Sequence, residues 1–405
     1  MRVLMVLDHP YPPDIRVENE ARTLVEAGHE VTLLQISPDD RPEVDDHEGT
    51  RIVRRRIPRR AVNWLRGFAG VTPLMDLYLD REIRKEFAAR PFDAIHVHDL
   101  YLVGGGLRAG RRLNVPVVAD LHENWVEALQ HYAWSTRPPG RWVVRIPKWE
   151  AVERRWVRAA DHLVVPIEEA RDRYLSLGVA RDRVHVVPNT VELESFDAYP
   201  IRPDIVSRTE GPLTLVYTGF IDAHRGVQTV VEAMPTVLAR HPEARLVIVG
   251  SGSTVHELET QVEQLGLGSR VAFEGYVPQD HIKSYLAGAS IALVPHLKTP
   301  HTDNTIPHKL FHAMRVGTPV LVSDCAPLKR IVEAERCGEV FASGDPADFA
   351  RAVGALADPA TRERLGARGR EAVQARYNWD ATVEPLRALY RQLAASVDRT
   401  DPLDS

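Results

Sequence analysis

Short apolar runs and helical stretches alternate along this chain in two successive series, and that alternation admits few folds. Residues 3–7 form a buried-strand run, followed by a loop carrying Pro10, Pro12 and Pro13. Val17, Ala21, Leu24 and Val25 then recur at helical spacing, Gly28 suits the helix stop, and residues 31–34 read as the next strand. Strand, helix, strand is the βαβ unit and implies a parallel sheet. Further strand runs fall at 94–97, 115–119, 163–165 and 184–187. A polar stretch with Pro200, Pro203 and Pro212 interrupts the series, which restarts at 213–217, 246–249, 271–273, 291–294 and 319–322. The expectation is an α/β protein with two Rossmann-like domains: 1–195, a linker over 196–212, and 213–378. A terminal helix over 379–395 is expected to pack back on the first domain. Ligands of open parallel sheets bind beyond the carboxyl ends of strands, so the residues just after each strand carry the functional reading.

Composition narrows the classes. With 405 residues the chain exceeds one domain of about 150 residues. A net charge of −5 argues against a generic polyanion binder, and hence against a nucleic-acid partner. No apolar run approaches the ~18 residues of a membrane span. The opening MRVLMVLDHP is too short and too soon polar for a signal peptide. Two cysteines, Cys325 and Cys337, make neither a disulfide framework nor a cysteine-rich zinc site. A reducing cytoplasm is the expected compartment.

The motifs cluster in the second domain. YTGFIDAHRG at 217–226 ends a strand in a glycine turn followed by Arg225, whose guanidinium can fork onto a diphosphate. Gly250 and Gly252 form a second glycine turn. NTIPHKLFHAM at 304–314 places Pro307 in the first turn of a helix, so that the amides of Thr305 and Ile306 face an anion at its N-terminus; Gly317 ends that helix. In the first domain HVHDL at 96–100 and DLHEN at 120–124 follow strands.

In this order the motifs resemble the retaining glycosyltransferases of the GT-B fold, family four. RVENEARTLVEAGHEVTLL, RAADHLVVP, VHVVPNTVE, VAFEGYVP and IPHKLFHAMRVGTPVLVSD extend the resemblance over roughly residues 1–395. It implies two domains facing across a cleft, a nucleotide-diphosphosugar donor (UDP-, GDP- or dTDP-linked) in the C-terminal half, and a sugar, lipid-linked or small-molecule acceptor in the N-terminal half. Donor contacts are then expected at Gly219, Arg225, Gly226, Gly250, Gly252, Thr305, Ile306, Pro307, Lys309 and His312, with Tyr276 and Val277 bordering the base. His122 matches the family's active-site histidine, and Asn304 joins it as the second candidate catalytic residue, orienting donor sugar hydroxyls. Asp14, Arg16, His98 and Glu123 form the acceptor set. The resemblance implies transfer with retention and without metal or other cofactor. Family members often carry two glutamates eight positions apart in the third motif, where this chain has Asn304 and His312. A neutral imidazole offers one donor and one acceptor, against a carboxylate's acceptance of both ribose hydroxyls.

Those departures motivate a non-enzymatic alternative, a sugar-nucleotide-binding or scaffold protein; an epimerase of the same fold is the third reading. His96, His98 and Asp99 have a ligand-like pattern, but a cleft-facing strand end is the preferred reading over a metal. Gly104, Gly105 and Gly106 read as a closely packed helix entry. Trp142, Trp149 and Trp156, seven apart, read as a helical stripe turned inward. Residues 51–66 hold seven arginines (51, 54, 55, 56, 59, 60 and 66) and no acid, and apolar residues including Val71 follow. This segment is expected to meet an anionic acceptor or, peripherally, the inner face of a membrane. Through Asn189 the chain has 29 basic and 28 acidic residues, so the net charge comes from the second half.

Overall fold

The computed structural model describes residues 1–58, 61, 65–66, 68–69, 72–130, 133–136, 138 and 140–397. The chain separates into two compact units, Met1–Pro188 with Val383–Ser405, and Asn189–Thr382.

The first unit is built on an eight-stranded sheet: β1 Arg2–Leu7, β2 Glu30–Ser37, β3 Val44–His47, β4 Thr50–Arg56, β5 Ala94–His98, β6 Val117–Asp120, β7 His162–Val165 and β8 Val184–Val186. Their order is β3-β4-β2-β1-β5-β6-β7-β8. All neighbours pair in parallel except β3 with β4. The central strands are buried on both faces because helices cover both, as a parallel sheet requires. The second unit has six parallel strands, β9 Thr214–Thr218, β10 Arg245–Val249, β11 Val271–Gly275, β12 Ile291–Val294, β13 Val320–Ser323 and β14 Gly338–Phe341. They are ordered β11-β10-β9-β12-β13-β14. Its core gathers Leu215, Tyr217, Val230, Met234, Ile248, Leu293 and Phe349. Each such side chain contributes roughly 1.5–3 kcal/mol on burial.

Several expectations change. The stretch 196–212 is no irregular linker. It holds parts of the helices Leu193–Ala198 and Pro203–Thr209, started by Glu192 and by Pro203 in the first turn, and it belongs to the second unit. The terminal helix breaks at Val383 into Trp379–Thr382 and Glu384–Val397, and only the latter is part of the first unit. Strands β3, β4 and β14 were not expected, because their sequences are charged or short. β4 contains the arginine run itself. Arg54 is buried there, giving hydrogen bonds to Pro42 O (2.9 Å), Tyr11 O (3.2 Å) and Asp45 Oδ2 (3.1 Å). Arg51 pairs with Glu86 (2.6 Å), and Arg55 with Glu43 (2.8 Å) and Glu82 (3.2 Å). Arg56 donates to the carbonyls of Asp40 and Arg41. Arg59, Arg60 and Val71 lie outside the described residues. The expected membrane-facing patch is thus largely spent on the protein's own acceptors.

Gly104, Gly105 and Gly106 sit within the helix Leu100–Leu113 rather than at its entry, directly after β5. A Cβ at Gly105 would come 2.6 Å from Leu79 Cβ and one at Gly104 2.4 Å from Asp76, so these two let the helix Leu74–Ala89 lie close, while Gly106 faces Val97 of β5. Trp149 and Trp156 are buried on the helix Ile146–Ala159, while Trp142 lies on a separate short helix, Gly140–Val143, and is exposed. No described helix is long and apolar enough to cross a membrane.

Candidate functional site

In the first unit β1, β5 and β6 are neighbours, and each delivers an aspartate at its carboxyl end: Asp8, Asp99 and Asp120. Three adjacent carboxylates in a buried place need cations, and the surrounding elements supply them. Arg16, on the helix Ile15–Glu26 that Asp14 caps, forks onto Asp120 through Nη2–Oδ1 (2.6 Å) and Nε–Oδ2 (2.9 Å). His98 Nδ1 and His122 Nδ1 each stand 3.0 Å from Asp120 Oδ2. Arg66 donates to both Asp8 oxygens, at 2.5 and 2.8 Å. The Tyr101 hydroxyl lies 2.8 Å from Asp8 and 2.9 Å from Asp99.

His122 is held from both ends, with Nε2 3.4 Å from Asp99 Oδ1. Burial works against the charged ring, yet Asp99 and Asp120 outweigh it and raise its pKa to about 10. Burial likewise opposes ionisation of Asp120, but Arg16 and His122 hold it well below the usual carboxylate range. Asp99 is raised, by burial above all. Asp99 also sits at φ 72°, a conformation that strains a non-glycine residue and is kept by the hydrogen bond its N–H donates to Asp120 O (2.9 Å). His122 therefore presents a fixed positive charge instead of a free base. His9, whose Nε2 is 2.6 Å from Asp14, is raised to about 9 against burial by Asp14 and Asp8.

Two members of the acceptor set change role. Arg16 and His98 are buried and committed to Asp120, so they position His122 from behind and have no surface for an acceptor. Asp14 and Glu123 are partly exposed. Behind Asp120 lie Glu20 and His96; His96 Nδ1 is 2.8 Å from the Tyr390 hydroxyl on the helix Glu384–Val397. Glu20, His96, His98 and Asp120 bring ligand-type atoms within 4.8 Å of one another. Arg16 already stands against both carboxylates, 3.0 Å from Glu20 and 2.6 Å from Asp120, in the place a metal would neutralise. Asp8, Asp120 and Tyr101 are absent from the expected set; the sequence pattern raises Asp99 only as a metal ligand and Arg66 only as part of the basic segment. The signal that marks the three aspartates is their position, the last residue of a strand or the first beyond it.

In the second unit the glycines and the two basic side chains of the expected donor set lie near the carboxyl ends of β9 and β10. Gly219 and Gly250 have φ of 119° and 145°, and a Cβ on Gly250 would fall 1.9 Å from Gly219 O, so both positions require glycine. Gly252 packs equally tightly against Ile221 O, and Gly226 closes the turn Ala223–Arg225 with φ 73°. Arg225 Nη1 lies 3.3 Å from His296 Nε2. Lys309 reaches the same place from the helix His308–Val316: its Nζ sits 3.9 Å over the Tyr217 ring, and a Cβ at Gly219 would be 2.8 Å from it. Among the described residues neither Arg225 nor Lys309 is ion-paired to a carboxylate, although Arg225 is near enough to act electrostatically on Asp222. Asp222, on the same loop, accepts from Ser253 N and Oγ. Two basic side chains beside a glycine backbone form an anion site.

Other donor positions differ from expectation. Pro307 is the cap of the helix, not its first residue, so the opening amides are those of His308 and Lys309. Thr305 is extended, with its hydroxyl on His301 O, and Ile306 is buried. Asn304 ends the turn Thr302–Asn304 and donates Nδ2 to Pro300 O (2.7 Å). His312 stacks on Phe196 at 4.8 Å, and burial and His308 lower its pKa to about 3, leaving a neutral ring. Tyr276 is exposed beyond β11, while Val277 packs beside Val249 and Tyr285.

Residues 202–372 match the model for glycosyl transferases group 1, and residues 15–195 match glycosyltransferase family 4. A D-inositol 3-phosphate glycosyltransferase from Acidothermus cellulolyticus is 31% identical over 77% of this chain and 70% of its own length. Among solved structures, sucrose-phosphate synthase from Thermosynechococcus elongatus superposes with a TM-score of 0.77 at 24% identity, covering 98% of this chain and 100% of that one. Anabaena HepE in complex with UDP superposes with a TM-score of 0.70 at 14% identity, covering 98% and 100%.

Proposed function

Since the chain belongs to glycosyltransferase family 4, with the GT-B fold, and is a glycosyltransferase, we propose that it moves a sugar from a nucleoside-diphosphate donor to an acceptor hydroxyl with retention. The observation that carries the donor assignment is the approach of Lys309 to the Gly219 backbone with Arg225 facing it, neither being ion-paired to a carboxylate of a described residue. Loss of a diphosphate needs charge stabilisation of the leaving group above all, and these cations with the start of the helix His308–Val316 supply it. A similar fold is known with UDP bound, which supports a uridine donor among the candidates. Asn304 orients donor hydroxyls in this reading. His122, a held imidazolium, favours negative charge on the oxygens it meets and lines up the acceptor without taking its proton. The proton of the attacking hydroxyl then passes to the departing phosphate as the acceptor attacks the face that the diphosphate leaves. Acceptors in scope are sugars, lipid-linked sugars and small molecules with a free hydroxyl.

The test is a panel of UDP-, GDP- and dTDP-sugars with hydroxyl acceptors, read for transfer and for anomeric configuration. Stabilisation by nucleotide without turnover would replace this reading with a binding protein. Arg225→Ala is expected to weaken nucleotide binding about 10–100-fold while leaving the melting temperature within a degree or so, because its removal strands no buried carboxylate. Unchanged affinity would remove the donor assignment.

A further inference from the structure

Lys309 combines features that an ordinary binding lysine lacks. Its Nζ is buried and has no hydrogen-bond partner among the described residues. It is pressed between the Gly219 backbone and the Tyr217 face. The position after Gly219 is Phe220, which is exposed and uncharged, and the basic group that reaches this backbone comes instead from the helix His308–Val316. The groups around it oppose a second charge. Arg225 faces it from the turn Ala223–Arg225, and His296 adjoins from beyond β12 with His224 and His301 behind. His308 and His312 flank it on its own helix. Tyr217 offers a π-face that favours an ammonium, but a ring cannot replace three hydrogen-bond acceptors.

We propose that Lys309 is the second cation of the diphosphate site and takes up a proton from solvent when a nucleoside diphosphate binds. This rests on the donor reading given above. The amine changes from –NH2 to –NH3⁺ with the proton drawn from the buffer, and the phosphate oxygens become the acceptors it lacks. Burial and Arg225 push its pKa well below the usual lysine range without the anion; the anion reverses both effects. Donor affinity then carries a proton linkage and falls with rising pH, by at most about tenfold per pH unit for one proton.

The measurement is calorimetric titration of UDP, GDP and dTDP into the full chain at about pH 8.5, above the ordinary histidine range. Two buffers of different ionisation enthalpy report the protons exchanged. The expected result is net uptake approaching one proton per nucleotide for the wild type. Lys309→Arg, always charged, is expected to bind with its uptake abolished and its affinity flat with pH; Lys309→Met is expected to bind at least about tenfold more weakly. A nucleotide that binds the wild type with no uptake, or uptake undiminished in Lys309→Arg, overturns the inference and leaves the donor site standing. Failure of all three nucleotides to bind the folded wild type removes the donor reading and this inference together.

Discussion

Asp120 receives four donor contacts on two oxygens, and this arrangement fixes the charge of His122. The folded ring titrates near 10, above the roughly 6.5 of an unfolded histidine. The stabilisation it gives is therefore complete below about pH 6.5 and disappears as pH rises through about 10, amounting to a few kcal/mol at most. Denaturant unfolding of wild type and His122→Gln should show a stability gap that is widest near pH 6 and closes towards pH 10; a gap independent of pH would mean that folding leaves the pKa of the ring unchanged. His122, Arg225 and the glycines were legible from sequence because motif and strand end coincide there. Arg16 and His98 were legible as important and misread in role. Their charge suggests a ligand, and only the positions of Asp120 and Val187 show that both arginine edges are already taken. His312 differs again: stacking on Phe196 depends on a helix more than a hundred residues earlier, which no local pattern signals.

At the scale of elements, apolar alternation located the buried strands well and the charged ones not at all. β4 hides an arginine run because β3, Glu82 and Glu86 supply the acids from outside the run. Replacing Arg54, Arg55 and Arg56 together would consequently disturb the sheet, and loss of liposome binding in that variant would say nothing about a surface. The glycine triplet in Leu100–Leu113 runs against helix propensity, and packing is the reason. Gly105→Ala should gain about 1 kcal/mol of propensity and lose about 1–3 kcal/mol or more to the contact with Leu79. A net fall in thermal stability is expected, checked by calorimetry; a rise would show that the helix Leu74–Ala89 yields easily.

At the scale of the molecule, the two-unit organisation was legible because the βαβ series starts twice, while the place of division was not. Prolines and polar residues mark 196–212, yet that stretch packs as helices, and contacts place the change of unit after Pro188. The chain returns to the first unit after Thr382, with the helix Glu384–Val397 setting Tyr390 against His96. A chain ending at Thr382 should leave the second unit protected and the first cut readily by protease, as peptide mapping would show; equal protection of both would mean the helix is dispensable. The same return orders events during synthesis. The segment that completes the first unit leaves the ribosome only after every residue of the second has been made. The half begun first is thus the half finished last, and it waits through some two hundred residues of translation with the seat of its final helix uncovered.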